Sequence, residues 1–132
     1  MSLLLDTHIA LWWLEGGDRL TAGQRRAAAA AERGNEKLHI ADVTLWEIAM
    51  LADRGRITIS QGLPVLLEEL ESNARLEVLP ITGAIALDAV RLGASFPNDP
   101  ADRLITATAR VHGHTLVTAD RRIRESSLVS VL

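Results

Sequence analysis

The chain has no cysteine, no tyrosine and one lysine, Lys37; its only aromatic residues besides histidine are Phe96, Trp12, Trp13 and Trp46. Without cysteine there is neither a disulfide framework nor a thiolate metal site. So few aromatic rings leave little for an extended base-stacking platform. No apolar run approaches the ~18 residues of a membrane span, and no basic segment followed by an apolar one opens the chain. A soluble cytoplasmic protein, with neither signal peptide nor membrane anchor, is the expectation. Positive charge is also short: 14 basic against 17 acidic residues give a net charge of −3. That argues against coating nucleic acid by bulk electrostatics. It does not exclude a polyanionic substrate, because four acids gathered around metal would leave 14 basic residues facing 13 acidic ones.

What is present is a hydrophobic chain of 132 residues, 48% apolar, which suits one domain over residues 1–132 with a sizeable core. Leu3–Leu5 is a short apolar run that stops abruptly at Asp6 and Thr7, and a second apolar stretch, Ile9 to Leu14, begins at once. A buried strand, a turn and a helix packed back on it account for that pattern. Asp6 then sits at the carboxyl end of a strand, where open α/β sheets keep their sites.

Along the chain, Thr21-Ala22-Gly23-Gln24 is a capping box for an alanine-rich helix to about Arg33, and Leu38-His39-Ile40 is a short strand. Thr44-Leu45-Trp46-Glu47 reads as a second capping box, opening a helix to Leu51 or Arg54. Ser60, or Leu63 with Pro64 in the first turn, starts a helix to about Ser72. Leu76 to Leu79 is a third strand and Thr82 to Leu92 a helix. Asp99 as N-cap and Pro100 at N1 place Asp102 at N3 of the next helix, which Gly113 ends. Thr115 to Thr118 is a strand running into Asp120, a short basic helix follows from Arg121 to Arg124, and Leu128 to Leu132 supplies a last strand. Strands alternating with helices indicate a three-layer α/β/α sandwich on a central parallel sheet.

Four carboxylates occupy comparable places: Asp6 and Asp120 after strands, Glu47 and Asp102 at N3 of helices. In a parallel sheet such positions converge on one edge. Four hard oxygen donors suit Mg²⁺ or Mn²⁺, and a pair of such ions activates a water and stabilises a leaving oxygen at a phosphodiester. Each acid also has an ordinary explanation, since the helix macrodipole favours acids in a first turn. Thr44 accounts for Glu47 by capping, Asp120 caps a basic helix, and Asp99 is assigned to capping alone.

Leu5-Asp6-Thr7-His8 with Leu11-Trp12, then Trp46-Glu47-Ile48-Ala49, Asp99-Pro100-Ala101-Asp102-Arg103-Leu104-Ile105 and Leu116-Val117-Thr118-Ala119-Asp120 resemble, in this order, the motifs of PIN-domain ribonucleases. The likeness is greatest to the VapC-type toxins of bacterial toxin–antitoxin pairs and covers essentially the whole chain. It implies a PIN fold, a Mg²⁺- or Mn²⁺-dependent endoribonuclease acting on RNA, a VapB-like antitoxin that blocks the site, and a homodimer. The family's acids fall on Asp6, Glu47, Asp102 and Asp120, and its helper hydroxyls on Thr7 and Thr118. On this reading Asp6, Asp102 and Asp120 hold the metal, and Glu47 ligates a second ion or orients the attacking water. Thr7 and Thr118 fix carboxylate orientation, or are ordinary capping hydroxyls.

Arg121 and Arg122 beside Asp120, and Arg103 beside Asp102, are candidate phosphate ligands; Arg124 reads as a solvated face. His8 is expected to pack at the head of the first helix, and His112 and His114 to lie at the surface. At least one of the adjacent Trp12 and Trp13, ~100° apart on a helix, belongs to core or interface. The competing reading is a non-catalytic α/β binding or regulatory module. A phosphoreceiver would want a lysine near the last strands, and Lys37 lies far from them. An aspartyl phosphatase would want Asp-x-Asp, and position 8 is histidine.

Overall fold

The computed structural model describes residues 1–132. Leu3–Leu5 form β1, with all three side chains buried. Leu3 and Leu5 enter one apolar cluster and Leu4 another on the opposite face of the sheet. A strand covered on both faces needs no polar alternation, which is why three consecutive leucines make it. Asp6 ends the strand and caps α1 (Thr7–Leu14), its Oδ1 accepting from the Thr7 N–H at 2.9 Å. The helix thus begins at Thr7, ahead of the apolar stretch from Ile9, because the acid itself supplies the cap.

The box at Thr21 forms as expected at the head of α2 (Ala22–Arg33), with Thr21 and Gln24 bonding reciprocally. The box expected at Thr44 does not. After β2 (Leu38–Ala41) the chain enters α3 (Asp42–Asp53) directly, with Ala41 as a cap lacking any side-chain bond. Thr44 is therefore the third helical residue and Glu47 the sixth, well inside the helix rather than at N3. Then follow α4 (Leu63–Ser72) with Pro64 in its first turn, β3 (Leu76–Leu79), α5 (Gly83–Val90) capped by Thr82, and α6 (Pro100–His112). Asp99 caps α6 through bonds from the Ala101 and Asp102 N–H groups, at 2.8 and 3.2 Å. Gly113 closes it in the left-handed conformation, φ 69°, that glycine adopts without strain. Last come β4 (Thr115–Val117) and α7 (Arg121–Ser126). The expected final strand reduces to a single parallel bridge, Leu116 with Val131.

The sheet is parallel throughout, in the order β3-β2-β1-β4, with Leu38 beside Leu76 and Leu3, Leu4 and Leu5 beside Thr115, Leu116 and Val117. One face is covered by α1, α2, α4 and Ile48 of α3, around Leu3, Leu5, Leu38, Ile40 and Val117. The other is covered by α6 and α7, where Ile105, Ala109 and Ile123 meet Leu4, Ala41 and Leu116. From β1 the chain moves one way to β2 and β3, and then crosses back to place β4 on the far side of β1. The crevice at the carboxyl ends of β1 and β4 is therefore the topological switch point, the default site location in such sheets. No helix is long and apolar enough to cross a membrane.

Candidate active site

The switch point is acidic. Asp6 leaves β1 there and Asp120 follows β4, capping α7 through bonds from the Arg122 and Ile123 N–H groups at 2.8 and 3.3 Å. Thr118 joins the two acids. Its fully buried hydroxyl donates to Asp6 Oδ2 at 2.6 Å and accepts from the Asp120 N–H at 3.0 Å. Thr7 performs the matching task on the other side. Its N–H donates to Asp6, and its buried hydroxyl donates to Glu47 Oε1. Asp102, one turn into α6, accepts no hydrogen bond.

Asp99 is the acid that sequence reasoning missed. It caps α6 with Oδ1, as expected, yet Glu47, Asp99 and Asp102 each bring a carboxylate oxygen within 4.8 Å of the others. The signal was available: N-cap and N3 residues lie on one side of a helix start, so Asp99 follows Asp102 towards any site it serves.

Protonation reflects this crowding. Burial raises the Asp102 carboxyl to about 7, and the charges of Asp6, Asp99, Asp120 and Glu47 push it the same way. Burial also raises Asp6, against the opposing hydrogen bonds from Thr118 and Thr7. Glu47 is raised by burial, with the Thr7 hydroxyl opposing. Five carboxylates in one half-buried crevice repel one another unless protons or a cation intervene. The donors are all oxygens, so the fitting cation is a hard divalent one.

The arginines divide. Arg121 and Arg122 are exposed beside Asp120; Arg121 pairs with Glu125 at 3.2 Å and Arg122 lies 3.7 Å from Asp120. Arg124 turns one N–H onto the Thr118 carbonyl at 3.1 Å. Arg103 departs from its expected role. Its guanidinium donates to the carbonyls of Ala89, Gly93 and Phe96, at 3.2, 2.7 and 3.1 Å, and lies over the Phe96 ring. It clamps the α5–α6 connection instead of facing a phosphate. Arg103→Ala should accordingly lower unfolding free energy by about 2 kcal/mol, the range for bonds from a charged donor, measured by urea denaturation. An unchanged midpoint would remove the clamp.

His8 is exposed near Trp12, with ring centroids 6.1 Å apart, and its charge opposes the rise at Asp6 and Glu47. It does not pack at the helix head. His112 is exposed as expected, whereas His114 is half-buried and stacks on His39 at 4.4 Å. His114 precedes β4, so this stack lies at the opposite end of the strand from Asp120. Trp12 and Trp13 pack against the core, Trp13 beneath the Arg75 guanidinium, while Trp46 is 60% exposed.

The model of the PIN domain family matches residues 3–127. Ribonuclease VapC22 of Mycobacterium tuberculosis is 43% identical over 125 residues, which cover 93% of this chain and 90% of that protein. Among solved structures, VapBC2 from Rickettsia felis bound to a promoter DNA fragment superposes with a TM-score of 0.72 at 16% identity, covering 100% of this chain and 98% of that one. DNA-bound VapBC from Salmonella typhimurium gives 0.71 at 19% identity, covering 100% and 97%. At those identities the two structures speak to the fold, and they share this one. The family match over nearly all of the chain and the relative at 43% identity carry the further step: this chain belongs to the PIN domain family.

Proposed function

We propose that the chain is a metal-dependent endoribonuclease that acts as the toxin of a toxin–antitoxin pair. One observation carries the chemistry: Asp6, Glu47, Asp99, Asp102 and Asp120 crowd the half-buried switch point, where burial first and the neighbouring charges second raise Asp102 to about 7. Such repulsion is tolerated where a function needs it. The relative named as a ribonuclease and the VapBC neighbours support the choice of RNA and of a toxin.

Asp6, Asp102 and Asp120 would hold Mg²⁺ or Mn²⁺, with Asp99 at the rim. When bound, such an ion supplies Lewis-acid chemistry, acidifying water and neutralising charge on a phosphate. Glu47 would either ligate a second ion or orient the attacking water. Thr7 and Thr118 keep the Glu47 and Asp6 carboxylates aimed, which is how hydroxyls behind a metal site tune it. Arg121 and Arg122 are placed to meet the RNA backbone. The test is cleavage of RNA by the purified chain: products with Mg²⁺ or Mn²⁺ and none with EDTA. Equal cleavage in EDTA would refute the metal-dependent reading, and no cleavage under any condition would favour the binding-module alternative.

A VapB-like antitoxin fits the cleft beside α1. Leu11, Trp12, Ile57, Ile59 and Leu66 line a space of ≈ 260 Å³, and His8 brings its rim to the acids. An apolar segment there could extend a basic residue into the carboxylates. Homodimerisation is supported by α5, whose solvent side shows Ala84, Ala86, Leu87 and Val90, with Leu87 47% and Val90 74% exposed. A helix apolar on its outer side as well as its inner one wants a cover. Val90→Asp should convert the dimer to monomer in sedimentation equilibrium; a wild-type chain that stays monomeric at high concentration would exclude the dimer.

A further inference from the structure

We propose that Thr44 is a positioning residue for this site: its hydroxyl donates to Thr7, fixes the direction in which Thr7 donates, and so holds Glu47 among the acids. The inference rests on the function proposed above. Thr44 and Thr7 are both fully buried, with their hydroxyl oxygens 3.2 Å apart. A hydroxyl owns one proton. That of Thr7 lies on Glu47 Oε1, so the proton between the two threonines belongs to Thr44. The relay therefore has one direction, from Thr44 to Thr7 to Glu47. A hydroxyl that accepts a bond becomes a better donor, so Thr44 strengthens the contact it does not itself touch.

Thr44 lies in the first turn of α3, where the residue four earlier, Ile40, belongs to β2, so no carbonyl of its own helix competes for the hydroxyl. It reaches across to α1. Thr7 is the hub, because its N–H holds Asp6 and its hydroxyl holds Glu47. Fixing the Thr7 hydroxyl thus holds Glu47 beside the Asp6 that the Thr7 N–H binds independently, and ties α1 to α3 at the crevice. The pattern Thr44-Leu45-Trp46-Glu47 looks like a cap, and it brings together the start and, through α1, the end of this relay.

The test uses Thr44→Val, which keeps the volume and loses the hydroxyl, and Thr44→Ser, which keeps the hydroxyl. Thr44→Ala replaces the valine variant if that one fails to fold. RNA cleavage and the affinity for Mn²⁺ alone are measured on the full chain, with Glu47→Gln and the Thr44→Val/Glu47→Gln double variant. Thr44→Val should lower kcat by roughly 10–100-fold with little change in KM and weaken Mn²⁺ binding. Thr44→Ser should restore most of both. The double variant should be no worse than Glu47→Gln, because Thr44 acts through Glu47. Wild-type behaviour of Thr44→Val, a serine variant as impaired as valine, or losses that simply add would each overturn the proposal. If the parent chain cleaves no RNA, the functional reading fails while the Mn²⁺ comparison of valine with serine still decides Thr44.

Discussion

Asp102→Asn should lower RNA cleavage by roughly 10³-fold and, in the same protein, raise the stability of the metal-free fold. The first effect follows from the proposed function, in which Asp102 is one carboxylate of the set that would hold metal: such a group provides several kcal/mol of transition-state stabilisation, and ~4 kcal/mol is three decades in rate. The second follows because Asp102 accepts no hydrogen bond that an amide would lose, while its charge is opposed by burial and by Asp6, Asp99, Asp120 and Glu47. Raising a carboxyl from 3.8 to about 7 would correspond to ~4 kcal/mol in a dry interior. Asp102 is only half-buried, and solvent screening reduces this to about 1–2 kcal/mol. Thermal unfolding near neutral pH should therefore move up by roughly 4–8 °C. A variant that is less stable and still cleaves would mean that Asp102 is a structural acid. Asp6→Asn is the less clean experiment, because an amide nitrogen would face the Thr118 hydroxyl that now donates to Oδ2.

Some of the site is legible in the sequence and some is not, and the difference lies in how local each residue's reason is. Asp6 stood out because it interrupts an apolar run at a strand end, and Asp120 because it follows another such strand, although capping of the basic helix already accounted for it. Asp102 was placed correctly because Asp99-Pro100 marks a helix start almost without ambiguity. The same certainty hid Asp99: a residue with a sufficient local explanation invites no second one, though a capping carboxylate has two oxygens and only one is used by the N–H groups. Glu47 was singled out by the resemblance of Trp46-Glu47-Ile48-Ala49 to a family motif, but its placement at N3 of a helix fails. Nothing in Ala41-Asp42-Val43 punctuates the join of β2 to α3, so the first threonine-to-glutamate spacing looked like the boundary. The buried hydroxyl of Thr44 serves α1 instead, a contact across 37 residues that no local pattern contains. Arg103 failed for a geometric reason. Neighbours on a helix point about 100° apart, so adjacency to Asp102 in sequence is separation in space. The fold was more legible than the site, because strand and helix periodicities are local while the pairing of carboxylates is not.

The same electrostatics predicts how the metal-free fold responds to pH and to Mg²⁺. Asp102 has a folded-state pKa of about 7, above its ordinary 3.8, so between these values the native state binds more protons than the unfolded chain. Stability from this group is complete below about pH 4 and is lost as pH rises through about 7. Asp6 and Glu47 are raised as well and act in the same direction. His114 acts against them: burial lowers it from 6.5, so its contribution falls away as pH drops below that value. The difference between wild type and Asp102→Asn isolates the acid, because His114 is common to both. The advantage of the asparagine variant should be full near pH 8 and vanish near pH 4. Mg²⁺ should substitute for the missing protons. A hundredfold excess over its dissociation constant stabilises by about 2.7 kcal/mol, and protons compete for the same oxygens. The rise in melting temperature on replacing EDTA with Mg²⁺, at matched ionic strength, should therefore be large near pH 8 and small near pH 5. It should also be weakened in Asp102→Asn. Equal Mg²⁺ effects at both pH values would show that the ion does not occupy the acidic crevice, and the carboxylates would then need another explanation for standing so close.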